Sequence, residues 1–349
     1  MRTNRIFFSL LSICLINVSQ AQLDEPEYIK SIASEKSACI NKLKKNQPIE
    51  SAEHCRAWVT LAPDAIEKSD ALGMLGQAYA TAGDVEEAQA SFDEAAQYLQ
   101  KQPGPVALEK WVQTQAMRAR LAEGRDQMDA ADLIYLKTVD WIQRKEGSKH
   151  LTYALACENR AAFLARTGDL STATQLFIQA VAAYDELFGP YNERSLETIL
   201  NLAVAQLDAK QAESARKTLL TLYNAMKLGK RENTEGAAEA LTFLGNLAAE
   251  QQTNDKALNY FQKAIEIREK VHGKNDLRTA QSYNSAGLMH AKLGNAAQAE
   301  ALLAKAYVIR REALGEDEPR TQDTLTTVRA LIEVQRRETA KNKKTGQNP

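Results

Sequence analysis

Apolar residues recur at spacings of three and four along most of the chain, which is the spacing of amphipathic helices. Such runs come in pairs, and a short polar turn such as Gly83-Asp84 or Gly168-Asp169 separates the two members. The content of 16 glycines and 8 prolines also fits a helix-rich chain better than one with many short strands. The pattern predicts consecutive two-helix units, whose members we call helix A and helix B.

Alanines in helix B mark the length of the unit. They are separated by 43, 42, 42, 42 and 42 residues and stand at Ala88, Ala131, Ala173, Ala215, Ala257 and Ala299. A fixed step of this size indicates a repeat architecture. A small residue recurs where helix A must approach helix B, at Gly76, Ala161, Ala203, Gly245 and Gly287. A large side chain at these positions would push the two helices apart.

The order of these small, aromatic and alanine positions resembles the tetratricopeptide repeat, whose usual unit has about 34 residues. The longer helix B, which ends in the stretches 265–273 and 308–315, is similar to the kinesin light chain type of that repeat. The resemblance covers residues 69 to 311 and is weakest at 111–140. It implies an all-α fold, a right-handed superhelical solenoid of antiparallel helix pairs, and a function in binding other proteins.

The first 21 residues follow another pattern. Arg2 and Arg5 precede an apolar run at 6–18, and small residues stand at Ser19 and Ala21. This order predicts a secretory signal peptide, and hence export to the periplasm or, alternatively, secretion. A buried N-terminal helix, a membrane anchor and lipidation at Cys14 are the alternatives. The run is shorter than the roughly 20 residues that a spanning helix needs.

The remaining chain divides into four predicted segments: a capping helical hairpin at 22–66, six repeats at 67–318, a capping helix at 319–338 and a disordered tail at 339–349. Cys39 and Cys55 lie equally far from Gln47, in the turn of the predicted hairpin. Equidistant positions of an antiparallel hairpin face each other, so we predict a disulfide, with two separate buried thiols as the alternative. Cys157 falls on a packing position.

The charge balance is close to zero, with 44 basic and 45 acidic residues. Without residues 1–21 it becomes −3, which argues against a nucleic-acid partner. The sequence contains no phosphate loop, dinucleotide-binding glycine pattern, Gly-x-Ser-x-Gly or His-Glu-x-x-His motif. Charges alternate in sign along the predicted helices, as on solvated faces. We therefore predict no catalytic residues, no cofactor and no metal site.

The partner-binding surface is predicted in the concave groove that helix A lines in such solenoids. The expected occupant is a peptide or helix of another protein. In kinesin light chain-type repeats, helix A asparagines contact the backbone of bound peptides, and the resemblance transfers this role best to Asn201 and Asn284. Solvated surface amides are the alternative reading. The predicted groove residues are Asn159, Arg166, Asn201, Val204, Asn246, Asn284, Leu288 and Lys292.

Two other functions remain compatible with the sequence. One is a structural subunit of a cell-envelope assembly, and the other is an enzyme whose site lies between helices. The enzyme would need a cluster of buried ionisable residues, and the sequence shows none at equivalent repeat positions.

Overall fold

The computed structural model describes residues 27–190 and 192–345. Within these ranges every regular element is an α-helix, which confirms the predicted fold class. The helices are α1 (Glu27–Lys44), α2 (Pro48–Leu61), α3 (Ala65–Ala82), α4 (Val85–Gln100), α5 (Pro105–Gly124), α6 (Met128–Glu146), α7 (Leu151–Thr167), α8 (Leu170–Phe188), α9 (Glu193–Asp208), α10 (Ala212–Leu228), α11 (Glu235–Glu250), α12 (Asn254–His272), α13 (Leu277–Lys292), α14 (Ala296–Leu314) and α15 (Pro319–Thr345).

The described residues form two compact units, which are divided between Thr114 and Gln115. In the first unit α1 packs on α2, α2 on α3 and α3 on α4. Cys39 and Cys55 are paired between α1 and α2, with their Cα atoms 5.1 Å apart, inside the usual range for a disulfide. Both lie in a core around the buried Trp58. The segment predicted as a hairpin is thus folded as two helices, and α3 with α4 forms the first repeat.

In the second unit each helix from α6 to α14 packs on the next, and α15 closes the series. The long second helices end at glycines, as the sequence indicated. Gly273 and Gly315 follow α12 and α14 with φ of 87° and 92°, a region that L-residues rarely adopt. Their N–H groups donate to the carbonyls of Glu269 and Arg311. The turns that follow α12 and α14 are therefore set by glycine geometry.

The small positions of helix A are required by contact with helix B. A Cβ added to Gly245 would lie 2.5 Å from Cε1 of Phe261, and one added to Gly287 would lie 2.8 Å from Cγ of Leu303. Both distances are far below van der Waals contact. The prediction that these residues permit close approach of the two helices is confirmed, and the apolar pairs form a buried core along the unit.

The C-terminal segment differs from the prediction. Helix α15 continues to Thr345, although the sequence placed its end at residue 338 and a disordered tail at 339–349. The stretch 336–345 contains neither proline nor glycine and is rich in good helix formers, so nothing ends the helix there. Residues 346–349 lie outside the described residues, as does the predicted signal peptide. No helix in the described part of the chain is both long and apolar enough to cross a membrane.

Candidate functional site

The 42-residue step places equivalent side chains of α7, α9, α11 and α13 in rows. Three rows are spaced as i, i+3 and i+7 along each helix, so they share one helix face. We call this surface the A-face. Its rows are Asn159, Asn201, Phe243 and Ser285; Ala162, Val204, Asn246 and Leu288; and Arg166, Asp208, Glu250 and Lys292. Seven of the eight predicted groove residues lie in these rows.

The middle of the A-face is accessible and mostly uncharged. Asn246 and Leu288 are exposed, whereas Asn159, Asn201 and Val204 are half-buried. Among the described residues, the amides of Asn201 and Asn246 have no hydrogen-bond partner. An amide carries both donors and an acceptor, so these side chains can pair with the backbone of another chain.

The predicted cations of the A-face link neighbouring first helices. Arg166 of α7 donates from Nη2 to Oε2 of Glu123 in α5, at 2.6 Å. Lys292 of α13 donates from Nζ to the carbonyl of Ala249 in α11, at 3.0 Å. Each therefore has a partner within the chain, and its first role is to hold adjacent helices together.

Asn284 is not equivalent to Asn201, contrary to the reasoning from sequence. The two are 83 residues apart, one short of two full steps, and one residue turns a helix by about 100°. Oδ1 of Asn284 accepts a hydrogen bond from Oγ1 of Thr324 in α15, at 3.4 Å. Its side chain therefore faces the next helix of the series. Ser285 takes the position that Asn201 occupies in α9.

Asn284 belongs to a second set of equivalent positions, which we call the junctions. Each junction is formed by three residues. One comes from the first helix of a repeat, one from the second helix of the same repeat, and one from the first helix of the next repeat. In the second unit, junctions are formed in chain order by Glu158, Tyr184 and Thr198; by Leu200, Met226 and Ala240; by Thr242, Arg268 and Ser282; and by Asn284, Arg310 and Thr324.

The junction of α7, α8 and α9 contains a carboxyl group between two hydroxyls. Oη of Tyr184 donates to Oε2 of Glu158 at 2.9 Å, and Oγ1 of Thr198 donates to Oε1 at 3.1 Å. Burial raises the pKa of Glu158 above its ordinary value, and the two hydroxyls and the nearby Arg194 oppose this rise. Burial and the adjacent carboxylate also raise the pKa of Tyr184.

The junction of α11, α12 and α13 contains an ion pair whose arginine is buried and whose glutamate is partly exposed. Arg268 is 3% exposed, and its Nη2 lies 2.7 Å from Oε1 of Glu235. Its Nη1 donates to Oγ of Ser282 at 2.8 Å, and His272 contacts the other oxygen of Glu235 at 2.9 Å. The guanidinium is thereby satisfied by groups from neighbouring helices.

These buried polar groups were missed by the sequence reasoning, which treated the charges as solvated. The expectation was wrong for Glu158 and Arg268. Aligning the repeats at positions other than the packing alanines would have shown that Arg268 falls in register with Tyr184 and Met226, two positions that face the protein interior. The alternative that the protein is an enzyme requires a cluster of buried ionisable groups. The ionisable groups of the junctions are engaged in contacts between helices.

Cys157 is a free cysteine buried in α7, as the packing pattern predicted. Burial raises the pKa of its thiol to about 12, so the thiol keeps its proton at neutral pH. Among the described residues no group of three or more His, Cys, Asp and Glu side chains is arranged to hold a metal ion.

Comparison with known protein families identifies two stretches of repeats in the chain. One tetratricopeptide repeat model matches residues 236–312, and another matches residues 69–98. No curated protein matches the chain. The two family matches cover the first repeat and the last two.

Similar solved structures share the fold at low identity. A signal transduction ATPase with a tetratricopeptide repeat sensor from Pyrococcus horikoshii is 14% identical, with a TM-score of 0.60 over 82% of this chain and 42% of that one. Aspartyl phosphate phosphatase F from Bacillus subtilis is 10% identical, with a TM-score of 0.51 over 82% and 72%. A putative kinesin light chain from Podosopora anserina is 16% identical, with a TM-score of 0.49 over 60% and 99%.

The helix pairs, the glycine contacts and the two family matches agree on the nature of the repeating unit. Residues 69–98 and 236–312 are therefore tetratricopeptide repeats.

Proposed function

We propose that this protein is an exported, non-enzymatic scaffold that binds a peptide or helix of another protein on the A-face. The observation that carries the proposal is the accessible strip of amide and apolar side chains on α9, α11 and α13. Asn201 and Asn246 offer free donors and acceptors, and Val204 and Leu288 offer apolar contact. Together these can hold the backbone and an apolar side chain of an extended segment.

The proposal of a non-enzymatic role draws on the repeat itself, because tetratricopeptide repeats generally serve as binding scaffolds. The titratable groups of the junctions support it, since Glu158, Arg268 and Glu235 are hydrogen-bonded to neighbouring helices rather than aimed at a cleft.

The location that we propose is the periplasm. It is supported by the apolar run at 6–18 and by the pairing of Cys39 with Cys55, because disulfides persist in oxidising compartments. Osmotic-shock fractionation and mass spectrometry of the unreduced, alkylated protein test this. We expect an N-terminus at Gln22, release with the periplasmic fraction, and one alkylated cysteine, Cys157, after unfolding. A cytosolic protein with an intact Met1 and four alkylated cysteines would contradict the proposal.

The binding surface is tested by photo-crosslinking in cells. A photoreactive amino acid at Val204 probes the A-face, and the same amino acid at Ile178, which is 50% exposed on the second helix α8, serves as the control. We expect a discrete cross-linked protein from position 204 and none from 178. Cross-links from position 178 alone would place the interaction on the second helices and overturn the proposal.

A further inference from the structure

Helix α15 occupies the place of a first helix, but the described chain has no second helix to pack on it. In α13 the corresponding face is defined by two contacts with the second helix α14. Nζ of Lys305 lies 5.4 Å from the centroid of the Tyr283 ring. A Cβ added to Gly287 would lie 2.8 Å from Cγ of Leu303. Tyr283 and Gly287 thus mark the side of a first helix that receives its second helix.

The same side of α15 begins with the equivalents of these two residues, 42 positions later, and continues along the helix. Its side chains lie in one stripe because they are separated by four, three and four residues. We call this surface the end face, and it consists of Leu325, Arg329, Ile332 and Arg336.

The apolar members of the end face lack the cover that their equivalents have. Leu325 and Ile332 are half-buried. The residues equivalent to Leu325 in α11 and α13 are Leu241 and Tyr283, and both are buried. Residues 335–349 contain no large apolar side chain, so they cannot supply this cover. Leu325 and Ile332 therefore offer apolar contact to another molecule.

Arg329 prevents the end face from receiving a second helix of the usual geometry. Its equivalents are Gly245 and Gly287, where even a Cβ would lie within 3 Å of the second helix. The arginine side chain is far larger, and it is exposed. A helix that binds here must therefore accommodate a guanidinium in the middle of the contact, which a carboxylate can do by pairing with it.

The end face carries an excess of positive charge when all the charges of this stretch are counted. Between residues 325 and 337, α15 contains three arginines and one acidic residue, Glu333. Glu333 accepts a hydrogen bond from Nε of Arg337 at 3.0 Å. The other two arginines, Arg329 and Arg336, are exposed and have no ion-pair partner among the described residues. The net charge of this stretch is therefore +2.

Neighbouring elements do not cancel this excess. Helix α14, which packs beside α15, contains three basic and two acidic residues. Three acidic residues stand at 316–318, at the other end of α15 from Arg336. The last of them, Glu318, is paired with Arg320 and lies about 16 Å from Arg329 along the helix axis. Over its whole length α15 contains seven basic and three acidic residues.

We propose that the end face binds an acidic amphipathic helix of another protein. The apolar stripe of that helix contacts Leu325 and Ile332, and its carboxylates pair with Arg329 and Arg336. The two arginines are about 10 Å apart along α15, so acidic residues two helical turns apart match them. A helix is the fitting occupant because each complete repeat packs a helix on this side of its first helix. The inference adds a second surface and does not depend on the A-face.

The test uses fluorescence anisotropy with two labelled peptides, three copies of Glu-Gln-Ala-Leu-Gln-Ala-Leu and the same peptide with lysine in place of glutamate. The full chain without residues 1–21 is titrated in 50 mM and 300 mM NaCl. We expect at least a tenfold preference for the glutamate peptide at the lower salt concentration, and a smaller preference at the higher one because salt screens exposed charges.

The charge of the whole protein works against this result, which makes it informative. Residues 22–318 contain 42 acidic and 35 basic residues, so general electrostatic attraction favours the lysine peptide. A preference for glutamate therefore has to come from a local basic surface.

A matched pair of variants locates the preference. The test variant carries Arg329→Gln and Arg336→Gln, and the control variant carries Lys263→Gln and Lys270→Gln, which are exposed on α12 and also seven residues apart. Both variants lose two positive charges, and a urea midpoint for each checks that it folds. We expect the test variant to bind the glutamate peptide about fivefold more weakly and the control variant to bind it as the wild type does.

Four results would overturn the inference. They are equal weakening in both variants, a preference for the lysine peptide, no binding of the glutamate peptide at 1 mM, and binding of the wild type but not of the test variant to phosphatidylglycerol vesicles in place of the peptide. The last result would assign the end face to a membrane surface. Cross-linking at Val204 reports separately on the A-face, so either surface can fail without the other.

Discussion

Two junctions of the second unit differ in chemistry although they occupy the same place in the repeat. Between α9, α10 and α11 the three positions are Leu200, Met226 and Ala240, and they pack as part of an apolar core. One step later, Arg268 is buried at the equivalent of Met226 and held by Glu235 and Ser282. The 42-residue spacing of the helix pairs is the same at both junctions. The backbone geometry of the repeat therefore accepts either solution.

The two kinds of junction are expected to be sensitive to different substitutions. An apolar junction depends on volume and tolerates shape-conserving changes. A buried ion pair contributes little net stability when intact, because the loss of hydration offsets the attraction between the charges. Removing one member leaves the other charged and buried, which is far more costly. Predictions about the two junctions follow from this asymmetry.

The largest expected effect comes from Arg268→Ala. It removes the buried guanidinium that joins α11, α12 and α13, whereas Glu235 is 30% exposed and keeps its contact with His272. We therefore expect a loss of about 3 kcal/mol in the free energy of unfolding, from the lost hydrogen bonds to a charged group. Urea denaturation followed by circular dichroism measures it. The matched control is Arg310→Ala, one step along the chain, where the arginine is only half-buried. Equal midpoints for the two variants would show that burial does not distinguish these junctions.

The apolar junction is tested by placing a polar group in it. Met226 is 5% exposed, and neither Leu200 nor Ala240 has a side chain that can hydrogen-bond. We expect Met226→Gln to lower the free energy of unfolding by about 2 kcal/mol, because its amide is buried without partners. Met226→Leu, which conserves volume, should cost less than about 1 kcal/mol. If glutamine were tolerated as well as leucine, the junction would not be dry and apolar.

The smallest effect on stability is expected at Glu158, and its sign depends on pH. The raised native pKa means that the contribution of this group is greatest below the ordinary value of 4.5 and falls as pH rises through the native pKa. Glu158→Gln cannot ionise and removes this fall. From pH 5 to pH 8 the variant should gain on the wild type in the free energy of unfolding, because only the wild type loses stability as its buried carboxyl ionises. Parallel pH profiles of unfolding would contradict the assignment.

The sequence predicted the fold because each repeat obeys the same packing rule. The small residue at Gly245 and the phenylalanine at Phe261 must meet, and this contact repeats at a constant spacing that a single sequence reveals. The A-face was largely predictable for the same reason, since it lies opposite the packing positions. Asn284 was misassigned because a shift of one residue is hardly visible in sequence and yet turns a side chain from the A-face into a junction.

The buried charges could not be recognised from alternating signs along the helices. Arg268 lies in an Ile-Arg-Glu-Lys stretch that is typical of a solvated helix end. Its burial depends on Glu235, which is 33 residues away and comes from another helix. Long-range pairing of this kind follows from the packing of consecutive units, and periodicity alone does not specify it.

The most direct test of the central claim is the affinity of the cross-linked partner for the double variant Asn201→Ala and Asn246→Ala, measured by calorimetry beside the urea midpoint of the same sample. Both amides lack partners within the described chain, so the midpoint should stay unchanged. We predict that the affinity falls at least tenfold, because two sets of hydrogen bonds to the bound backbone are lost. An unchanged affinity with an unchanged midpoint would contradict the A-face as the binding surface.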